Sequence, residues 1–490
     1  MEASSSSKIT VEYHDPAGVF PLISSDIANR LPLRNLNWQT PSRPLRQIKS
    51  LHVEFVPDNY TQGTLRPQQN QRLDSNGANS FDIARGGNDP HKSSVTERRH
   101  QIPGLKTSPY LKLYVLRCDD KDTYKATERK RLREWIKENV QAEGKRENHD
   151  ACEWLILHVV IPDTVAASEP RWRESQSEAN ELRERKGGPK FPGKSTRTVF
   201  DKLRADFNES SKSSPDRVAQ IRRLKNQVPA DLLPTPAQAA TLRETAQERE
   251  NAWQDLMTKL KNLILTPFDL RVRQYESDIA EQEARRSLPG WNFCTFFIHK
   301  EGLAKALESI GLVEDALVIY DELSLGLETV LRDMASGQAN GTATSFAVYT
   351  DDIKERIVGG KNNANGTGRN VRHGQALGLF DIDYRDRIVR SQISVFDFFC
   401  YLFSRQKALI LRLAGALSAR SELGSNYKEG GEDLVLLAEV CWRALSFLPN
   451  AARTLRQDLA NGYAQMHLLS RSSVLIASIG FNRSNHESPS

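Results

Sequence analysis

Apolar positions between residues 289 and 330 recur in helical steps. Two helical patterns meet at Gly311. Beyond it Val313, Ala316, Tyr320, Leu323, Leu327 and Val330 follow at intervals of three or four, which is one face of a helix. Ala316 and Tyr320 lie one turn apart behind a glycine-led turn, in the manner of the second half of a tetratricopeptide-type hairpin. Such a pair cannot bury its stripe alone, so neighbouring helices must stack on it. The run 395–417 is apolar nearly all round in its first half and should be packed on several sides. Segments 434–448 and 460–480 extend the array. Residues 335–374, rich in Gly, Asn and Thr, read as an exposed loop, and 483–490 as a polar tail.

The first half carries the other period. ITVEYHDP alternates, and SLHVEFVP places Leu51, Val53 and Phe55 on one face, so residues 8–57 contain β-prone segments. The stretch 18–38 between them reads as irregular. Residues 58–105 lack periodicity and read as a disordered insertion. YLKLYVLRC (110–118) predicts a strand, 122–140 a helix, and EWLILHVVIP (153–162) a strand buried on both faces. Strand, helix, strand in this order implies a parallel βαβ unit. A polar insertion at 163–195, a helix around 196–207 and a basic, Ser- and Pro-broken stretch follow. A long helix is expected from 236 to 265, with Trp253, Leu256, Leu260 and Leu263 on one side, continuing to 286. The expected architecture is an α/β N-terminal domain (1–57 and 106–288) with a parallel βαβ-containing sheet. An α-helical solenoid of tetratricopeptide-like pairs (289–482) follows it.

Composition adds boundaries. A chain of 490 residues has room for two cores. A hydrophobic share of 38% and a mean hydropathy of -0.55 fit ordered domains diluted by polar insertions. The net charge of +6, from 68 basic and 62 acidic residues, is too small to argue for nucleic acid. It is compatible with weak attraction to an acidic membrane surface. The cysteines (118, 152, 294, 400, 441) are odd in number, far apart and flanked by apolar residues, which predicts buried thiols in a reduced cytosolic chain. MEASSSSKIT lacks the apolar core of a signal peptide. The most apolar run, 395–403, contains Asp397 and is too short to cross a bilayer, so membrane association is expected to be peripheral.

One motif invites a test. Gly188 to Ser195 spells GPKFPGKS, a match to the phosphate-cradling G-x-x-x-x-G-K-[ST] loop ending in Gly193, Lys194 and Ser195. A working loop needs a strand directly before it and free backbone N–H groups around the phosphate. No strand pattern precedes Gly188, and Pro189 and Pro192 remove two donors, so a chance match in a basic linker is expected. His299 has no second histidine at helical spacing and reads as structural. His149 and Cys152 lack the further ligands of a zinc site. Asp119–Asp120 and Asp351–Asp352 read as loop charges or helix caps. The basic runs 128–133 and 222–225 fall on helical patterns and read as solvated faces, with an acidic lipid or partner surface as the alternative. No catalytic, cofactor-binding or metal-ligating residue is assigned.

Several blocks in order, among them PYLKLYVLRCDDKDTYKATERKRLREWI, EWLILHVV, VFDKLRADF, WQDLMTKLKNLIL, PGWNFCTFFIHKEGLAKALESIGLVEDALVIYDEL and YLFSRQKALILRL, resemble one family. It is the large specific subunit of the TRAPP II (transport protein particle) Golgi tethering complex, in its N-terminal portion and of fungal type. The resemblance implies a non-catalytic scaffold of a complex that acts as guanine-nucleotide exchange factor for late-Golgi Rab GTPases. Its implied partners are other TRAPP subunits, with peripheral contact at the cytoplasmic face of the trans-Golgi network. Family members are longer and carry C-terminal β-sandwich domains, so this chain is expected to be a fragment or truncated form. A degenerate GTPase-like appearance of the α/β domain would fit the βαβ reading. Two alternatives are a P-loop nucleotide-binding protein with a helical regulatory arm and a generic helical-repeat adaptor.

Overall fold

The computed structural model describes residues 8–41, 43–58, 108–139, 148–171, 198–208, 214–337, 343–347, 384–421 and 430–459. The expected insertion at 58–105 beyond its first residue, most of the loop 335–374, the 460–480 segment and the tail lie outside them. Tertiary contacts divide the chain into two units: Ser6–Gln274 with Ser309–Gly311, and Tyr275–Glu308 with Leu312–Ser490 and Met1–Ser5.

The first unit is built on a six-stranded sheet in the order β2-β3-β1-β4-β5-β6. Strand β1 (Lys8–His14) pairs in parallel with both β3 (Arg43–Pro57) and β4 (Leu111–Leu116). Next come β5 (Glu153–Val160) and β6 (Val218–Arg222), also parallel. Only β2 (Leu33–Thr40), at the edge, runs antiparallel to its neighbour β3. The parallel β4–β5 pair bears out the βαβ reading. Seven of the eight residues of β5 are buried, as a strand covered on both faces requires.

Helix α1 (Pro21–Ala28) follows β1. An α-helical turn (Lys121–Thr123), a π-helical segment (Tyr124–Glu128) and α2 (Arg129–Asn139) follow β4. The short α3 (Val165–Ser168) and then α4 (Val199–Phe207) lie between β5 and β6. Leu132 and Trp135 of α2 and Phe200, Leu203 and Phe207 of α4 share one buried cluster with Tyr114, Trp154, Ile156 and Val218 of the sheet. Helix α5 (Ala246–Ala284) contributes Trp253, Leu256, Leu260 and Leu263, all buried as their spacing predicts.

Four sequence expectations need correction here. Residues 18–38 are not irregular. Pro21, with no N–H to waste, sits in the first turn of α1, and Ile23 and Ile27, one turn apart, are its buried side. Eight residues with two serines and an aspartate are too few for a period to show. The broken stretch after α4 contains β6, whose Gln220 is buried against His158. Residues 163–171, expected to open a polar insertion, belong to the fold: the Thr164 hydroxyl caps α3, and Ala166 and Ala167 are buried. Finally, α5 begins at Ala246 instead of 236. Thr245 and Glu248 form a reciprocal capping box there, the Glu248 carboxylate accepting the Thr245 N–H at 2.7 Å.

The second unit is mostly helical. Helix α6 (Phe293–Ile310) turns at Gly311, whose φ of +98° favours glycine, into α7 (Val313–Ala335). Ala316, Ile319, Tyr320, Leu323, Leu327 and Val330 form the buried face of α7. Helix α8 (Tyr384–Val389) leads to α9 (Val395–Ser421) and α10 (Gly430–Leu459). Phe403 of α9 stacks on Phe447 of α10 at 4.6 Å, within a cluster that includes Phe396, Ala444, Ala451 and Leu455. Phe398 and Leu402 are buried too, so the start of α9 is packed on several sides as expected.

Helix α10 departs from expectation. Its segment Leu434–Arg456 is long and apolar enough to cross a membrane, which the run 395–403 was not. Its Arg443, however, is held by Asp321 and Glu439, and one side packs on α9. One side of it is therefore packed within the unit, while most of the span is exposed. The buried-thiol expectation also fails in part. Cys118 and Cys294 are buried and Cys152 and Cys400 half-buried, but Cys441 on α10 is exposed.

Candidate functional site

In an open parallel sheet, ligands bind beyond the carboxyl ends of the strands, where the strand order reverses. Here that point lies between β1 and β4. Strand β1 ends at His14, and the turn that follows carries Asp15. The Asp15 carboxylate accepts the backbone N–H groups of Val19 (3.0 Å) and Phe20 (2.6 Å). These donors lead into α1, and the next residue is Pro21, which has none. In a phosphate-binding loop such donors face the anion. In this chain a built-in carboxylate has taken two of them and leaves negative charge in their place.

The surrounding groups are committed as well. His14 Nδ1 and Asp58 Oδ2 are 2.5 Å apart, and His14 lies against Tyr114 and Trp135. Past β4, Arg117 pairs with Asp119 at 3.0 Å. Asp120 caps the following helical turn through the amides of Asp122 and Thr123, and the Thr123 amide above all holds its carboxyl below the usual range. Asp120 is thus the cap that the sequence suggested. Burial pushes the Cys118 thiol up to about 12, which removes it as a nucleophile. His158 is fully buried. Its Nε2 donates to the Cys118 carbonyl at 2.9 Å, and Gln220 lies 3.2 Å from its Nδ1. Burial presses its pKa down to about 4, so it stays neutral.

The remaining sequence candidates are scattered. Gly188, Gly193, Lys194, Ser195 and the pair Asp351–Asp352 lie outside the described residues. His299 sits inside α6 with Nδ1 2.7 Å from the Gln282 amide, a structural pairing. His149 is buried in a 3₁₀ turn, and burial pushes the nearby Cys152 thiol up to about 12. Among the described residues no group of His, Cys, Asp and Glu has metal-holding geometry. The run 128–133 lies on α2 and its flank, with Lys130 and Arg133 exposed, as a solvated face should be. The run 222–225 is different. It ends β6 and enters a 3₁₀ turn; Arg223 is buried, and the side chain of Arg222 is largely shielded. Arg223 reaches Asp26 at 2.5 Å, while Arg222 and Arg171 both approach Glu244, at 3.3 and 3.2 Å.

The most extensive polar constellation is in the helical unit. Glu301 of α6 is closed off from solvent. Its carboxylate accepts Arg385 Nε of α8 at 2.8 Å, the Tyr320 hydroxyl of α7 at 3.2 Å, and the Tyr401 hydroxyl of α9. Arg405 of α9 donates to the Tyr320 hydroxyl at 3.0 Å and pairs with Glu308, which also takes Arg412 at 2.5 Å. Asp321 of α7 receives both Gln406 of α9 and Arg443 of α10. This spine ties all five helices to fixed partners. Single-sequence reading missed it, because its members are spread from 301 to 443. The arrangement offers rigidity and surface, with no nucleophile and base converging on a cavity.

The described residues thus form an α/β unit with its switch-point amides occupied and a charge-braced helical array. Comparison with known proteins adds to this. Residues 88–232 match the family model described as "Trafficking protein particle complex subunit 10-like, N-terminal". The chain is 26% identical over 428 residues to trafficking protein particle complex subunit 10 of Dictyostelium discoideum, covering 84% of this chain and 23% of that one. It is 27% identical over 310 residues to the human subunit 10, covering 63% and 19%. Over 81 residues it is 48% identical to the Arabidopsis thaliana trafficking protein particle complex II-specific subunit 130 homolog, covering 16% and 6%. The chain is thus similar to subunit 10 and subunit 130 proteins over these stretches. The chain spans less than a quarter of the length of these relatives.

Proposed function

We propose that this chain is a non-catalytic scaffold subunit of a Golgi vesicle-tethering complex. In this reading it is the N-terminal portion of a fungal-type large TRAPP II subunit. The similarity to subunit 10 over 84% of the chain carries the reading. The braced helical array, which suits stacking of tetratricopeptide-like pairs, and the self-filled switch point agree with it. The assembled complex would exchange guanine nucleotide on late-Golgi Rab GTPases. This chain would shape the assembly, meeting other TRAPP subunits at the cytoplasmic face of the trans-Golgi network, with peripheral membrane contact and no nucleic acid.

The test is affinity purification of the tagged chain, followed by a GDP-release assay on late-Golgi Rab GTPases with the chain alone and with the recovered complex. Co-purification of TRAPP core subunits, with release stimulated by the complex and not by the chain alone, is the expected result. Stimulation by the isolated chain would make it a catalyst. Failure to recover core subunits would leave only a generic helical adaptor.

A further inference from the structure

Helix α2 buries Leu132 and Trp135 and turns its other side outward. On that side cations recur every four residues, at Lys125, Arg129, Arg133 and Lys137. With Lys130 and Glu134 they line one open groove of about 260 Å³, which sets five cations against one carboxylate. Their pairing is incomplete. Glu134 lies 3.7 Å from Lys130, and Asp206 takes Arg129 at 2.8 Å. Lys125 has only Asp122, 3.9 Å away and itself 98% exposed. Arg133 and Lys137 pair with no carboxylate among the described residues. Lys202 of α4 adds to the field. Burial, and after it the charges of Lys125 and Lys121, press its ammonium below the usual lysine range. Cations held this close together favour an anion over them.

We propose that this face of α2, with Lys202 beside it, docks on an anionic lipid leaflet, which rests on the peripheral membrane contact proposed above and names the side chains that make it. Two observations choose a lipid surface over an acidic protein. The groove's lining contains no aliphatic or aromatic residue, so a protein partner would find none of the buried anchors that carry interface affinity. The lysines also stand far out from the surface, with 61% of the Lys125 side chain and 80% of that of Lys130 exposed. Such long stems hold their charges at a leaflet without a fixed pocket. From Lys125 to Lys137 the stripe runs about 18 Å, so several headgroups meet it at once. Each basic residue beside an anionic leaflet raises partitioning about five-fold.

The full chain, purified alone, is floated with phosphatidylcholine vesicles that contain or lack phosphatidylserine. Binding only to vesicles with phosphatidylserine, weakening as salt rises, is the expected result. Arg133→Gln with Lys137→Gln should lower that partitioning about ten-fold or more at an unchanged melting temperature, and Lys125→Gln with Lys130→Gln should do the same. Arg34→Gln with Lys49→Gln, both exposed on β2 and β3, makes an equal change of net charge and should lower it less than about three-fold. No binding by the parent chain, or an equal loss in all three variants, overturns the proposal. Unchanged vesicle binding by the Arg133→Gln, Lys137→Gln chain, with loss of its co-purifying TRAPP subunits, assigns the face to an acidic protein surface and overturns it as well. The vesicle assay contains no other subunit. Its failure therefore leaves the assembly reading standing, and failed co-purification leaves the lipid result.

Discussion

Arg385 donates Nε–H to the Glu301 carboxylate at 2.8 Å, and both side chains are closed off from solvent. The pair joins α8 to α6 across 84 positions of sequence. Removing one partner of such a pair strands the other charge, which costs about 3–5 kcal/mol, far more than an exposed pair contributes. Glu301→Ala is expected to lower stability by that amount in urea unfolding of the full chain. Adding Arg385→Met to it should cost about 2 kcal/mol less than the two single losses together. Additive losses would show that the two residues do not act as a pair.

Ala316 is completely buried on α7, one turn from the buried Tyr320. Ala316→Glu brings an unpartnered charge and added volume into that contact. A loss on the order of 3 kcal/mol is expected. A melting temperature unchanged from that of the parent chain would place the stripe at a surface.

Gly302 of α6 faces the Tyr275 ring so closely that an added Cβ would lie 2.4 Å from it. Tyr275 is itself buried and cannot swing away without opening the packing. Gly302→Ala should therefore destabilise by about 1–3 kcal/mol, although alanine is ordinarily the better helix former. A stabilised Gly302→Ala chain, measured by thermal melting, would contradict the close approach.

The buried, neutral His158 makes stability pH-dependent. Its pKa falls from an ordinary 6.5 to about 4 in the fold, chiefly through burial. Above pH 6.5 neither folded nor unfolded chain carries this proton, and the contribution is fully present. As pH falls from 6.5 towards 4, the unfolded chain binds a proton that the folded chain refuses. Stability is then lost at about 1.4 kcal/mol per pH unit, roughly 3 kcal/mol in all. His158→Asn should flatten the stability profile between pH 6.5 and 4 relative to the parent chain. An identical slope in the two proteins would remove His158 as the cause.

Nucleotide binding is expected to be absent. Asp15 already occupies the Val19 and Phe20 amides at the switch point. Fluorescent ATP and GTP analogues with magnesium should show no saturable micromolar binding. Asp15→Ala should instead cost about 1 kcal/mol by leaving those amides without their acceptor. Binding abolished by Lys194→Ala would restore the Gly188–Ser195 motif as a functional loop.

Where local pattern and final environment agreed, the sequence was legible. The apolar run of β5 and the three-four stripe of α7 each state a pattern that burial then satisfied. The βαβ order implied parallel pairing because a crossover helix leaves little alternative. Tertiary structure decided what local pattern could not carry. Helix α1 and strand β6 are too short for a period to stand out, and β6 holds Gln220 and Arg222, whose partners His158 and Glu244 come from elsewhere in the chain. Arg222 and Arg223 read as solvated charges because a basic run looks the same whether water or a distant carboxylate receives it. The switch-point turn was opaque for a related reason. Asp15 next to Pro16 reads as an ordinary turn. Only the placement of α1 against β1 reveals that its carboxylate fills the position of an anion.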